Sequence, residues 1–133
     1  NQLNPDLIVL AGYDQILSPN FINNFYDPKK NICTIVNIHP SLLPKYPGLN
    51  SYEQAFKAKD HESGITIHFV DSGVDTGPVI FQKSFLIKNF NSVIQVEECG
   101  LKLEHEYYFK FIDKLLHENW KLADGGLNVQ FIL

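Results

Sequence analysis

The chain has 133 residues, 44% of them hydrophobic and 20% charged, a composition that suits one globular domain, or part of one, with its own core. A net charge of −4 with no block of Lys or Arg argues against a nucleic-acid partner, and no apolar run approaches the roughly 20 residues of a membrane helix. Two isolated cysteines, Cys33 and Cys99, lack CxxC partners; this excludes a cysteine zinc site and predicts a reducing, cytoplasmic setting.

Asp6–Gly12 (DLIVLAG) is a continuous apolar run closed by glycine, the pattern of a strand buried on both faces of a parallel sheet. Ser18–Phe25 reads as a short helix, with Ser18 as N-cap and Pro19 at the first helical position. Asn31–His39 (NICTIVNIH) reads as one strand and Tyr52–Ala58 as a short helix. Gly64–Val70 and Val79–Ile87 read as strands joined by the glycine-rich DSGVDTGP loop. A long helix is predicted from about Ser92 to Asn119. Its stripe of Leu103, Tyr107, Phe111 and Leu115 is widened by Tyr108, Ile112 and Leu116. Gly100 inside it costs about 1 kcal/mol relative to alanine, so it marks a kink or a close approach. The tail predicts a hairpin around Asp124-Gly125-Gly126. This order points to an α/β domain with a mixed sheet.

The chemistry concentrates in Asn37-Ile38-His39. Side chains alternate along a strand, so Asn37 and His39 share a face at its carboxyl end, where open α/β sheets bind ligands. Pro40 ends the ladder there. An amide can donate to a developing oxyanion and an imidazole can move a proton near neutral pH. No activated nucleophile is evident: Ser41 lies outside a G-x-S-x-G elbow, and Cys33, six residues upstream, is about 20 Å away along an extended strand. Acyl chemistry without a covalent enzyme intermediate is therefore expected. Asp75, between Gly73 and Gly77, is the leading carboxylate partner, with Asp71 second; the glycines would let backbone approach a ligand. Each residue also has a plain structural reading as a turn former or surface group. His68, between Ile67 and Phe69, reads more readily as a core histidine than as a partner of the site. No H-E-x-x-H or similar spacing occurs, so no metal is expected.

NIHPSLLPKYPG, followed by GITIHFVDSGVDTGPVI, resembles the phosphoribosylglycinamide formyltransferase (GAR transformylase) family. PDLIVLAGYDQILSP upstream and LEHEYYF in the long helix are similar to it as well. The resemblance spans Pro5 to about Asn119 and implies a Rossmann-like α/β domain with a mixed, mostly parallel sheet and flanking helices. Residues 1–133 then form a single formyltransferase domain fragment carrying its catalytic and folate-binding part. The resemblance implies formyl transfer from 10-formyltetrahydrofolate to the amine of glycinamide ribonucleotide, in purine biosynthesis, with small-molecule partners and neither nucleic acid nor membrane. It places the catalytic trio on Asn37, His39 and Asp75, and the folate contacts on Gln15, Ile16, Leu17, Asp71, Val74 and Asp75. Glu104 falls at a ribose-contacting position, and Leu43-Pro44 at a peptide that is often cis. The family's Met-Arg pair is replaced by Asp14-Gln15, removing a positive charge beside the folate stretch. The family's N-terminal phosphate-binding loop has no counterpart in these residues; about 70 residues of a typical domain of about 200 are expected to be missing. The related formyltetrahydrofolate hydrolase reaction, and a folate-binding remnant without turnover, are the alternatives the sequence leaves open.

Overall fold

A computed structural model describes residues 7–10, 21, 24–29 and 32–132. Its strands are β1 (Ile8–Val9), β2 (Tyr26–Asp27), β3 (Ile32–Cys33), β4 (Ile35–His39), β5 (Glu62–Phe69), β6 (Val79–Leu86), β7 (Asn119–Ala123) and β8 (Asn128–Ile132). The helices are α1 (Ser51–Lys57) and α2 (Val93–His117). Six strands form a mixed sheet in the order β1-β4-β5-β6-β8-β7. The pairs β1–β4 and β6–β8 are parallel; β4–β5, β5–β6 and β7–β8 are antiparallel. Parallel pairing thus sits at two junctions, and the short DSGVDTGP connection makes β5–β6 antiparallel.

The predicted strand 31–39 is in fact two. Thr34 interrupts it, because its amide and hydroxyl both donate to the Phe25 carbonyl, at 2.8 and 2.9 Å. Before this break β3 pairs with β2 in a separate two-stranded sheet; after it β4 joins the main sheet. The helix expected over 18–25 falls largely outside the described residues, and Phe25 lies in a turn.

Alternation gives β4 and β5 two different faces. Val36 pairs with Phe69 and Ile38 with Ile67, and these residues form the core with Tyr108 and Leu115 of α2 and with Trp120. Each large side chain buried there contributes about 1.5–3 kcal/mol. Leu103, Tyr107, Phe111 and Ile112 flank this core, as the stripe predicted. Leu116, placed in the stripe from sequence, is 48% exposed, because Leu115 takes the inward position at that turn. Ser92 caps α2, accepting from the Gln95 amide at 3.4 Å. The Tyr108 hydroxyl donates to the carbonyls of Leu10 and Val36, tying the helix to β1 and β4. Gly100 marks a close approach: an added Cβ would lie 2.0 Å from the Tyr52 hydroxyl oxygen. Among the described residues no helix is long and apolar enough to cross a membrane.

Candidate active site

The opposite face of β4 and β5 is polar. Asn37 pairs with His68 and His39 with Thr66 across the antiparallel ladder, which gathers all four side chains on one side. All four are buried, at 0–1% exposure. Thr66 anchors the loop that follows β4: its hydroxyl donates to Ser41 O at 2.7 Å and accepts from the Leu43 amide at 3.1 Å and Gln82 Nε2 at 2.9 Å. The Leu43-Pro44 peptide is cis, as the resemblance implied.

Asp75 arrives from the β5–β6 loop. Its backbone is left-handed, with φ 56°, a conformation aspartate tolerates better than most residues. The carboxylate is buried at 3% exposure, and Oδ2 lies 3.3 Å from His39 Nδ1. Oδ2 also accepts from the Gly48 amide at 2.8 Å. The loop can turn this tightly because Gly77 has no side chain: a Cβ there would lie 1.8 Å from Phe69 O. A Cβ on Gly73 would likewise meet the Thr76 side chain, at 2.3 Å. The glycines admit the protein's own chain, where the sequence suggested approach to a ligand.

His39 is held at both ring nitrogens. Nε2 lies 2.8 Å from Tyr46 O and 3.1 Å from Ser51 Oγ, while Nδ1 faces Asp75. A carbonyl only accepts, so Nε2 carries a hydrogen. When Nδ1 carries one too, it donates to Asp75.

His68, read from sequence as a core residue, belongs to this cluster. Its Nδ1 bonds Phe69 O at 2.9 Å, and its Nε2 lies 3.7 Å from Asp75 Oδ1 without a hydrogen-bond partner. Burial lowers its pKa below the ordinary histidine value, so the neutral ring is favoured. With the proton on Nδ1, Nε2 offers its lone pair to the recess lined by Asn37, His68, Val70, Asp71, Gly73, Asp75 and Thr76.

Asp71 lines this recess but is engaged in shaping its own loop. Oδ1 accepts from the Gly73 amide at 2.9 Å and the Thr76 hydroxyl at 2.5 Å. Val74 is half-buried in the loop and does not line the recess. Gln15, Ile16 and Leu17 lie outside the described residues. Glu104, half-buried on α2, accepts from the Tyr52 hydroxyl at 3.3 Å. Burial raises its pKa above the usual carboxylate value, and the Tyr52 hydrogen bond, His105 and His39 act in the opposite direction. Ser51 was missed from sequence; its contact with His39 depends on a turn twelve residues downstream. Among the described residues no group of three or more His, Cys, Asp or Glu could hold a metal ion.

This arrangement lines one recess with an amide, an imidazole and a carboxylate, from Asn37, His68 and Asp75, and holds His39 against Asp75. The formyl transferase family model matches residues 1–112. A Haemophilus influenzae phosphoribosylglycinamide formyltransferase is 46% identical over 120 residues, covering 90% of this chain and 54% of that protein. The phosphoribosylglycinamide formyltransferase structure from Anaplasma phagocytophilum superposes with a TM-score of 0.85 at 35% identity, covering 96% of this chain and 59% of that one. A formyltetrahydrofolate deformylase from Pseudomonas syringae superposes with a TM-score of 0.81 at 26% identity, covering 96% of this chain and 40% of that one. The chain belongs to the formyl transferase family. It spans about half the length of the curated relatives it matches.

Proposed function

We propose that this chain carries the catalytic and folate-binding part of a phosphoribosylglycinamide formyltransferase. The protein would transfer a formyl group from 10-formyltetrahydrofolate to the amine of glycinamide ribonucleotide in cytoplasmic purine biosynthesis. The observation that carries the reading is the grouping of Asn37, His39 and Asp75 at the carboxyl end of β4. The Ser41 hydroxyl is committed to Lys45 O at 2.5 Å, which leaves that nearby serine to the loop. The substrate amine then attacks the formyl carbon directly.

Asn37 donates its amide hydrogen to the formyl oxygen as negative charge develops there. His39, cationic in the transition state and paired with Asp75, stabilises that oxyanion and assists proton movement. Proton transfer from the attacking amine to the departing N10 runs through a water organised by Asp75. The buried setting strengthens each electrostatic contact, and the anchored loop after β4 spares reorganisation during reaction. Asp71 and Val74, with Gln15, Ile16 and Leu17, bind the folate; Glu104 binds the ribose of the nucleotide. No resident metal or prosthetic group enters this scheme.

Similarity to the deformylase favours a second reading in which water is the acceptor. The test is loss of formyl from 10-formyltetrahydrofolate by the full gene product, with and without glycinamide ribonucleotide. Loss that requires the nucleotide supports the transferase. Equal loss in its absence replaces it with the hydrolase, and no loss in either arm leaves a folate-binding remnant.

A further inference from the structure

Ser51 is the first residue of α1, 1% exposed, with its hydroxyl 3.1 Å from His39 Nε2. With Asp75 on the other ring nitrogen, Ser51–His39–Asp75 has the outline of a nucleophilic triad. The hydrogen bonding runs the other way. In such a triad Nε2 must offer a lone pair to the serine, but here Nε2 also lies 2.8 Å from Tyr46 O and must donate. The Ser51 hydroxyl hydrogen is itself directed to Tyr46 O, at 2.8 Å, in preference to Gly48 O at 3.5 Å. The single Nε2 hydrogen is therefore shared between Tyr46 O and, at the longer distance, Ser51 Oγ, and Nδ1 is the nitrogen left for Asp75.

We propose that Ser51 is a positioning residue: by accepting from Nε2 and bracing the Tyr46 carbonyl, it holds the His39 ring with Nδ1 toward Asp75. The surrounding loop gives that carbonyl a fixed place. Tyr46 has φ 50° and Asn50 has φ 57°, both left-handed, and the latter turns the chain into α1 beneath the imidazole. The Tyr46 hydroxyl donates to Asp60 at 2.8 Å, and the Gly48 amide bonds Asp75. One loop thus grips both members of the His39–Asp75 pair, and Ser51 closes the grip from the helix.

The catalytic consequence rests on the formyl-transfer reading above, so the experiment has two readouts on the full gene product. In Ser51→Ala, kcat for formyl transfer should fall by up to about tenfold, the effect of one hydrogen bond, with KM for both substrates within about twofold. Ser51→Thr should restore kcat. In nitrogen-15 histidine spectra, the Nε2–H signal of His39, assigned by its loss in His39→Asn, should shift in Ser51→Ala and return in Ser51→Thr. If Ser51→Ala does not fold, Ser51→Cys, similar in size with a weaker acceptor, replaces it with the same expectations. An unchanged signal together with unchanged kcat overturns the proposal. So does covalent labelling of Ser51 by a serine-directed phosphonofluoridate, which would make it the nucleophile. If the wild type transfers no formyl group, the functional reading fails, and the ring signal alone decides the role of Ser51.

Discussion

Gly100→Ala is a sharp test of how α2 meets α1. The new Cβ would lie 2.0 Å from the Tyr52 hydroxyl oxygen and 2.2 Å from its Cζ, against the roughly 3.4 Å of ordinary contact. The ring would have to withdraw by more than about 1 Å. It has little room, being 9% exposed and clustered with Ala55, Ile87 and Val96. Overpacking of this kind costs about 1–3 kcal/mol. Displacing the ring also loosens the 3.3 Å bond from Tyr52 to Glu104, worth about another 1 kcal/mol. Alanine returns about 1 kcal/mol in helix propensity. The expected net loss is about 1–3 kcal/mol, read as a lower urea midpoint at constant slope. In a Tyr52→Ala background the clash is gone, and the same substitution should stabilise by up to about 1 kcal/mol. A Gly100→Ala protein as stable as the wild type, with no coupling to Tyr52, would refute the close approach.

Three further outcomes are expected. Asp75→Asn keeps the shape of the side chain and an acceptor for the Gly48 amide but removes the charge facing His39; kcat should drop by 10²–10⁴-fold, on the order seen for general acid–base groups, with the melting temperature nearly unchanged. Thr66→Val leaves the buried Leu43 amide without its acceptor and Gln82 with one fewer, which should cost about 1–3 kcal/mol in denaturant unfolding. The third concerns pH. The folded-state pKa of His68 is depressed below 6.5, so the neutral ring contributes stability above pH 6.5 that is lost as pH falls from there through the folded pKa. Between pH 7.5 and pH 5, His68→Gln should therefore lose less unfolding free energy than the wild type; equal losses would show that His68 is not the group being charged.

What was legible in the sequence was whatever short-range periodicity encodes. Period-two alternation alone puts Asn37 and His39 on one face, and the i, i+4 recurrence of Leu103, Tyr107, Phe111 and Leu115 gives the buried side of α2. Contacts made by turns were not legible. Thr34 breaks a strand because it bonds a carbonyl nine residues earlier, and Ser51 reaches His39 because Asn50 adopts a left-handed conformation without being glycine. Neither leaves a pattern in the residues themselves.

His68 shows where the boundary lies. In sequence it alternates with Ile67 and Phe69, and both of those are core residues, so a core histidine was the natural reading. The strand pattern is silent on which residue of β4 lies opposite which residue of β5. In the observed register Asn37 faces His68 and His39 faces Thr66, which gathers the polar groups, while Ile38 faces Ile67 on the side of α2. Side chains alternate with a period of two, so slipping β5 by one residue would set Ile67 opposite Asn37 and turn His68 and Thr66 toward the helix, where the core offers them no hydrogen-bond partners. The cost of burying those groups unpaired is what rejects the slipped register. The apolar side of the sheet therefore specifies the polar side: the fit of Val36, Ile38, Ile65, Ile67 and Phe69 beneath α2 fixes the pairing that delivers His68 to Asp75.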